Sequence, residues 1–134
     1  MPIEPPLIRI DLASPVPAYE QIAGALRSLL VARELSPGDI LPPVRQLAID
    51  LAVHFNTVAQ AYRILAEEGW LDLRQGRGAT VLPRPAEPAT PAVREAVSIE
   101  LNHLVASALT RGVSAKDLRQ ELDRLLRRFS AQSS

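Results

Sequence analysis

The chain has 134 residues, 47% of them hydrophobic, with no cysteine and a formal net charge of zero. This length and hydrophobic content suit one compact domain with a small appendage. The absence of cysteine excludes disulfides and thiolate chemistry, so a reducing cytoplasm is the expected location. The opening MPIEPPLIRIDL lacks the basic-then-apolar order of a signal peptide, and no uncharged apolar stretch reaches the roughly 18 residues of a membrane span.

The charge balance argues mildly against a nucleic-acid partner, because DNA-binding domains usually carry a basic surface. Residues 1–82 hold seven arginines against nine acidic residues, and residues 83–134 hold eight basic against six acidic residues. Neither half is strongly basic. DNA binding would therefore require the arginines to be sorted onto one face of the fold.

The first element is an alternation of apolar and polar residues over residues 7–12, which predicts a short strand or an extended arm. Pro15 and Pro17 end it, and a helix is expected to begin near Pro17, because proline is tolerated in the first helical turn. Residues 36–39, Ser-Pro-Gly-Asp, form a turn after this helix. The apolar face of the helix consists of Tyr19, Ile22, Leu26, Leu29 and Leu30.

Two further helical patterns lie close together in the next stretch. The first follows Pro42 and Pro43, and its buried face consists of Val44, Leu47, Ala48 and Leu51. The second is expected to start near Asn56 or Thr57, either of which can cap free N–H groups, and to end at Gly69. Its buried face consists of Val58, Ala61, Tyr62 and Leu65.

A short hairpin is predicted after these helices, with strands over residues 71–74 and 79–82. Residues 75–78, Gln-Gly-Arg-Gly, join the strands, and their glycines permit positive φ angles. Arg77 at the tip could enter a minor groove or meet a phosphate. Gly-Arg-Gly also occurs in ordinary hairpins, so its position after a helix pair is what makes it informative.

The C-terminal part is predicted to be a linker over residues 83–91, with four prolines in nine residues, followed by a helical hairpin over residues 92–131. Ser114 and Asp117 resemble a capping box at the start of the last helix. The apolar faces of the two helices are too large to bury within one hairpin, which indicates association into a symmetric dimer. The candidate interface core is Leu101, Leu104, Val105, Leu122, Leu125 and Phe129.

The order helix, turn, helix, hairpin over residues 41–81 is that of a winged helix-turn-helix domain. Residues 17–81 also resemble the GntR family of bacterial transcription regulators. The matching pieces are PAYEQI at 17–22, LPPVR at 41–45, NTV at 56–58, AYR at 61–63, EGWL at 68–71 and GRG at 76–78. The expected fold is mainly α with a small β wing: a winged helix-turn-helix domain over residues 8–82 and a two-helix dimerisation appendage.

The candidate DNA contacts share the outer face of the helix pair and the hairpin tip. Asparagine and glutamine suit adenine, and arginine suits guanine or phosphate. The alternative is a solvated polar face, with Arg45 in a surface salt bridge to Asp50 or Glu20. The resemblance implies a DNA contact for Arg45. The candidates are Arg45, His54, Phe55, Asn56, Thr57, Gln60, Arg63, Gly76, Arg77 and Gly78.

Three positions depart from the family pattern. Members commonly have serine or alanine where this chain has Pro43, and often a basic or polar residue where it has Phe55 and Ala59. Pro43 removes a possible hydroxyl contact to phosphate, whereas Phe55 and Ala59 could touch a thymine methyl group. A different operator is therefore expected.

No catalytic motif is present, so an enzyme is not expected, and no cofactor or metal is implied. The length and small helical tail resemble the short YtrA-like branch, which implies a homodimeric repressor at a two-fold-related operator, often of a transporter operon. A protein-interaction module without specific DNA binding is the alternative. Two forms of control stay open: a small-molecule effector at the dimer seam or beside the helical tail, and control by abundance alone.

Overall fold

The computed structural model describes residues 7–74, 78–84 and 87–132. In this part of the chain, three helices precede a two-stranded antiparallel sheet and two long helices follow it, which confirms the predicted mainly α fold with a small β wing. No helix among the described residues is long and apolar enough to cross a membrane. The elements are α1 (Ala18–Val31), α2 (Val44–Leu51), α3 (Phe55–Glu67), β1 (Leu71–Asp72), β2 (Thr80–Val81), α4 (Pro91–Thr110) and α5 (Ala115–Gln132).

The chain forms two compact units, which meet in the sequence after Arg84. The first unit contains a hydrophobic core in which α3 packs against both α1 and α2. The core-facing positions recur at helical spacing, so each of these helices buries one apolar face and leaves the other to solvent. The most deeply buried side chains are Ile22, Leu26, Leu41, Leu47, Val58 and Leu65.

Of the two structures predicted for residues 7–12, a short strand or an extended arm, the strand is wrong, because these residues form none. Ile8 enters the core, and the side chain of Gln21 takes the place of a strand partner. Its Oε1 accepts from the backbone N–H of Asp11 at 2.7 Å, and its Nε2 donates to the carbonyl oxygens of Asp11 and Val16 at 2.8 and 2.9 Å. The segment is thereby fixed to α1 by one side-chain amide.

The cap of α3 also differs from the prediction. The helix begins at Phe55, and His54 is its N-cap, with Nδ1 accepting from the backbone N–H of Asn56 at 3.1 Å. Asn56 and Thr57 lie inside the helix, so neither is the cap. An imidazole nitrogen can accept this hydrogen bond, although the residues favoured at N-caps are serine, threonine, asparagine and aspartate.

The wing is built from β1 and β2, paired Leu71 with Val81 and Asp72 with Thr80. Both strands are shorter than predicted. The other edge of β2 is occupied by residues 38–41, with an antiparallel bridge between Ile40 and Thr80. The backbone N–H of Leu41 donates to Ala79, that of Gly38 donates to Val81, and that of Val81 donates to Asp39, each at 2.8 Å. Residues 38–41, which begin within the predicted turn at 36–39, therefore form a third backbone segment of the wing.

The second unit contains α4 and α5. Thr90 caps α4, with Oγ1 accepting from the backbone N–H of Val93 at 3.2 Å, and Pro91 is the first helical residue. Pro91, predicted as the last linker residue, is therefore the first residue of α4. Proline is tolerated there because the first helical turn leaves its N–H groups unpaired, and proline has no N–H. Ser114 Oγ accepts from the backbone N–H of Asp117 at 3.0 Å, as the predicted cap requires.

Apolar side chains of α4 and α5 line one open cleft of about 360 Å³. None of the residues of α4 is buried. Five of the six residues predicted for a dimer core are among those that line this cleft: Leu101, Leu104, Val105, Leu122 and Leu125. The sixth, Phe129, is not among them. The guanidinium carbon of Arg128 lies 5.5 Å from the centroid of the Phe129 ring.

Candidate nucleic-acid interface

The outer face of α3 carries a row of polar side chains, which we call the polar stripe: Asn56, Gln60 and Arg63. These residues recur at spacings of four and three, so they lie above one another on one side of the helix. All three are exposed. The opposite side of α3 is the buried face, where Val58, Ala61, Tyr62 and Leu65 are at most 2% exposed. Core packing therefore fixes the rotation of α3 and aims the polar stripe away from the protein.

Arg45 and the start of α3 lie side by side. Arg45 is the second residue of α2, and its guanidinium carbon lies 5.5 Å from the centroid of the Phe55 ring. The rings of Phe55 and His54 are stacked, with centroids 4.6 Å apart and an interplanar angle of 27°. Phe55 is 43% exposed. We call these three residues the Arg45 stack.

The arginines of this face are free of acidic partners. Among the described residues, Arg45 and Arg63 form no ion pair. Asp50, proposed as a partner of Arg45, instead accepts from Gln46 Nε2 at 2.8 Å. The alternative, a salt bridge from Arg45 to Asp50 or Glu20, is therefore wrong. The guanidinium groups of Arg45 and Arg63 are available to an external anion.

Acidic charge on α3 collects at its C-terminal end. Glu68 accepts from Arg27 Nε at 2.9 Å and from Arg27 Nη2 at 2.6 Å, which ties the end of α3 to α1. This bidentate hydrogen bonding lowers the pKa of the Glu68 carboxyl, with the nearby charges of Arg27 and Arg84 adding to it. Glu68 is thus neutralised by Arg27. Glu67, four residues after Arg63 and in line with the polar stripe, is exposed and forms no ion pair among the described residues.

Tyr62 connects the buried face of α3 to the segment that leads into α2. Its hydroxyl donates to the carbonyl oxygen of Pro42 at 2.6 Å. Burial raises the pKa of the Tyr62 hydroxyl, because the anion would lose its hydration. Pro42 lies three residues before Arg45, so this hydrogen bond holds the start of α2 against α3.

The remaining predicted DNA contacts, Thr57 and the hairpin residues 76–78, differ in exposure and in whether the structure describes them. Thr57 is half-buried, so only part of it can reach a ligand. Gly78 is exposed and has φ +69°, in the left-handed region that a side chain rarely adopts, while the space around it is open enough for a methyl group. Gly76 and Arg77 lie outside the described residues. The contact between Arg45 and Phe55 was not predicted from the sequence.

The fold agrees with that of known proteins that the chain resembles. The family described as "Bacterial regulatory proteins, gntR family" matches residues 18–81. The HTH-type transcriptional repressor YtrA of Bacillus subtilis is 32% identical over 114 residues, which are 85% of this chain and 88% of that protein. This chain belongs to the GntR family.

Two solved structures extend the comparison. YtrA from Sulfolobus acidocaldarius, a GntR-family transcription factor, is 34% identical, with a TM-score of 0.59 over 74% of this chain and 97% of that one. A transcriptional antiterminator from Listeria monocytogenes EGD-e has a TM-score of 0.72 over 90% of each chain and, at 22% identity, supports the fold alone. The predicted class, a DNA-binding transcription regulator of the GntR family rather than an enzyme, is confirmed.

Proposed function

We propose that this GntR-family regulator is a cytoplasmic homodimeric repressor that binds a two-fold-related DNA operator. The observation that carries the proposal is the polar stripe, held opposite the core-facing side of α3. An exposed helix face with amide and guanidinium groups can read base edges in a major groove, where asparagine and glutamine pair with adenine and arginine with guanine. The similarity to YtrA, which is named as a transcriptional repressor, supports repression as the mode of action.

Each contact has a proposed role on the DNA. Asn56, Gln60 and Arg63 read base edges, because they point outwards along the helix that enters the groove. Arg45 approaches a base or phosphate from the start of α2. The wing tip, in which Arg77 stands between two glycines in the sequence, contacts the DNA backbone or the minor groove.

The dimer is proposed from the α4–α5 cleft. Leu101, Leu104 and Leu122 are 47%, 63% and 48% exposed in the single chain. Contiguous apolar surface of this kind is costly in water and usually marks an association site. A second copy of α4 and α5 would cover it with side chains of the same chemistry. Two-fold symmetry would then present two copies of α3 to two half-sites.

The DNA contacts are tested by replacing Arg45 and Arg63 with alanine, one at a time, in the full chain. Operator duplexes are first selected from a random DNA library with the parent protein, and affinities are measured by fluorescence anisotropy. Each substitution should weaken specific binding by about 1–3 kcal/mol, the contribution of a bidentate arginine contact. Neither side chain is in the core, so thermal unfolding should stay at the parent temperature.

Arg33→Ala is the matched control, because Arg33 is an exposed arginine of the same unit that lies outside the proposed interface. Its operator affinity should equal that of the parent. Affinities of the Arg45 and Arg63 variants that match the control would contradict the assigned interface. A parent chain that enriches no DNA sequence would contradict operator binding itself.

A further inference from the structure

Phe55 is not part of the polar stripe, but its contact with Arg45 suggests a role for it. We propose that Phe55 is a positioning residue, which holds the Arg45 guanidinium in place for a bidentate contact to a guanine and so helps to set the operator sequence. This inference rests on the proposed function, since it assumes that α2 and α3 face DNA. It replaces the expectation that Phe55 itself touches a thymine methyl group.

The geometry favours positioning over direct contact. A guanidinium within about 6 Å of an aromatic centroid is attracted to the ring, and arginine also stacks on aromatic faces. The Arg45–Phe55 distance of 5.5 Å meets this condition. No acidic side chain among the described residues forms an ion pair with Arg45, so the ring is the contact that restrains it. Among the described residues, no ion pair occupies the guanidinium N–H donors of Arg45.

His54 is the third member of the Arg45 stack. Its ring is stacked with Phe55 at 4.6 Å, and its Nδ1 is fixed by the N–H of Asn56. The cap therefore orients the imidazole, the imidazole supports the phenyl ring, and the phenyl ring supports Arg45. This sequence of contacts connects the backbone at the start of α3 to a cation on α2.

Restraint of Arg45 has a consequence for specificity. A free arginine side chain loses much rotamer entropy when it forms a bidentate contact, and this cost is smaller when the side chain is already held. A held guanidinium also meets one base position at a fixed angle, so a wrong base leaves its donors unpaired. The stack should therefore contribute both to affinity and to discrimination at the base pair that Arg45 reads.

The test compares binding profiles of the full chain and its variants on selected operator duplexes in which each base pair is changed in turn. Phe55→Leu should lower operator affinity about threefold to tenfold, the range expected for a lost cation–π contact and the ordering it provides. The loss of discrimination should fall on the same base pairs as in Arg45→Ala. In the double variant, Phe55→Leu should cause no further loss. Phe55→Trp should restore the parent profile, because tryptophan is the strongest cation–π partner.

Leu12→Ala is the control for truncating an exposed apolar side chain, since Leu12 is 61% exposed in the same unit. His54→Asn separates capping from stacking, because asparagine is a good N-cap but has no ring. It should weaken discrimination at the Arg45 base pairs while thermal unfolding stays near that of the parent. This variant also keeps the test open if Phe55→Leu does not fold.

Three results would overturn the inference while leaving operator binding intact. One is a Phe55→Leu loss that adds fully to that of Arg45→Ala, which would mean that Phe55 contacts DNA independently. Another is a change of preference at base pairs that Arg45→Ala leaves untouched. The third is an unchanged profile for Phe55→Leu on duplexes that the parent still selects, which would sink the positioning role alone and leave operator binding intact. A parent chain that selects no sequence would overturn both.

Discussion

At the scale of single residues, Tyr62 shows how a buried hydroxyl makes stability depend on pH. Its O–H donates to the Pro42 carbonyl, and burial raises the pKa of the phenol above that of an unfolded chain. Above pH about 10 the unfolded tyrosine loses its proton while the folded one keeps it. The folded state then binds more protons than the unfolded state, so stability falls as pH rises.

We expect the free energy of unfolding to fall by about 1.4 kcal/mol per pH unit above pH about 10, with Tyr62→Phe removing this slope. The phenylalanine variant should also lose about 1 kcal/mol at neutral pH, since Pro42 loses its donor. Urea unfolding, followed by the fluorescence of the single tryptophan, Trp70, measures both effects. The chain suits this experiment because it has one lysine, two tyrosines and no cysteine. Tyr19→Phe is the matched control and should keep the slope; equal slopes in the two variants would refute the assignment.

The sequence predicted which residues would form the DNA-facing surface better than it predicted how they contact one another. Apolar spacing alone separated the buried face of α3 from the polar stripe, because the helical period admits only one core-facing side. The cap at His54 was missed, since capping preferences favour Asn56 and Thr57 and give histidine little weight. The contact between Arg45 and Phe55 joins two helices, and no periodicity within one helix contains that information.

At the scale of secondary-structure elements, the turn between α2 and α3 depends on one alanine. Ala52 has φ +58° and ψ +44°, and its N–H bonds to the carbonyl of Ile49 at 3.2 Å. A left-handed conformation costs a residue with a Cβ about 1–2 kcal/mol. The strain is tolerated because the chain must reverse here within a few residues to pack α2 against α3.

Ala52→Gly should therefore stabilise the protein by up to about 1 kcal/mol, the relief of strain less the extra entropy of glycine in the unfolded chain. Ala52→Val should destabilise it, because a β-branched side chain at positive φ is more strained. Ala25→Gly, the same chemical change inside α1, should cost about 1 kcal/mol and provides a control of opposite sign. Urea unfolding of the three variants tests this, and destabilisation by Ala52→Gly would show that the turn is unstrained.

The wing shows which elements the sequence could not predict. The hairpin of β1 and β2 was visible from alternation and its glycines, because those signals are local. The pairing of Ile40 with Thr80 was not, since it joins segments that are far apart in the chain. The composition of residues 36–39 predicted only a turn. Whether the same backbone continues along a sheet edge depends on tertiary packing, which local propensity does not encode.

At the scale of the whole molecule, net charge was a poor guide to the partner. A total of zero argued mildly against a nucleic-acid partner. Within the described residues, however, Arg45 and Arg63 form no ion pair, while Glu68 is neutralised by Arg27 elsewhere. Electrostatic attraction to a polyanion depends on local charge within about 10 Å at moderate salt, more than on the sum over the chain. The sequence gives the number of charged residues, but only the folded structure shows which of them pair with one another and which stay unpaired.

Dimerisation through the α4–α5 cleft can be tested with two positions on α4, Leu104 and Ile99. Leu104 lines the α4–α5 cleft, whereas Ile99, on the same helix and 49% exposed, does not. A carboxylate buried in a dimer core loses its hydration without gaining a partner, so Leu104→Asp should raise the dimer dissociation constant on the order of 100-fold. Ile99→Asp adds the same charge at a position that stays in water, so it should leave the dimer intact.

Sedimentation velocity across a range of protein concentrations measures this difference, and operator titrations should follow it. A monomer engages one half-site and loses the effective concentration that links the two DNA-binding units, so Leu104→Asp should also weaken operator binding about 100-fold or more. Its binding to an isolated half-site should be unchanged, because α4 lies outside the winged unit. A Leu104→Asp protein that stays dimeric, or an Ile99→Asp protein that dissociates, would show that copies associate through a surface other than the α4–α5 cleft.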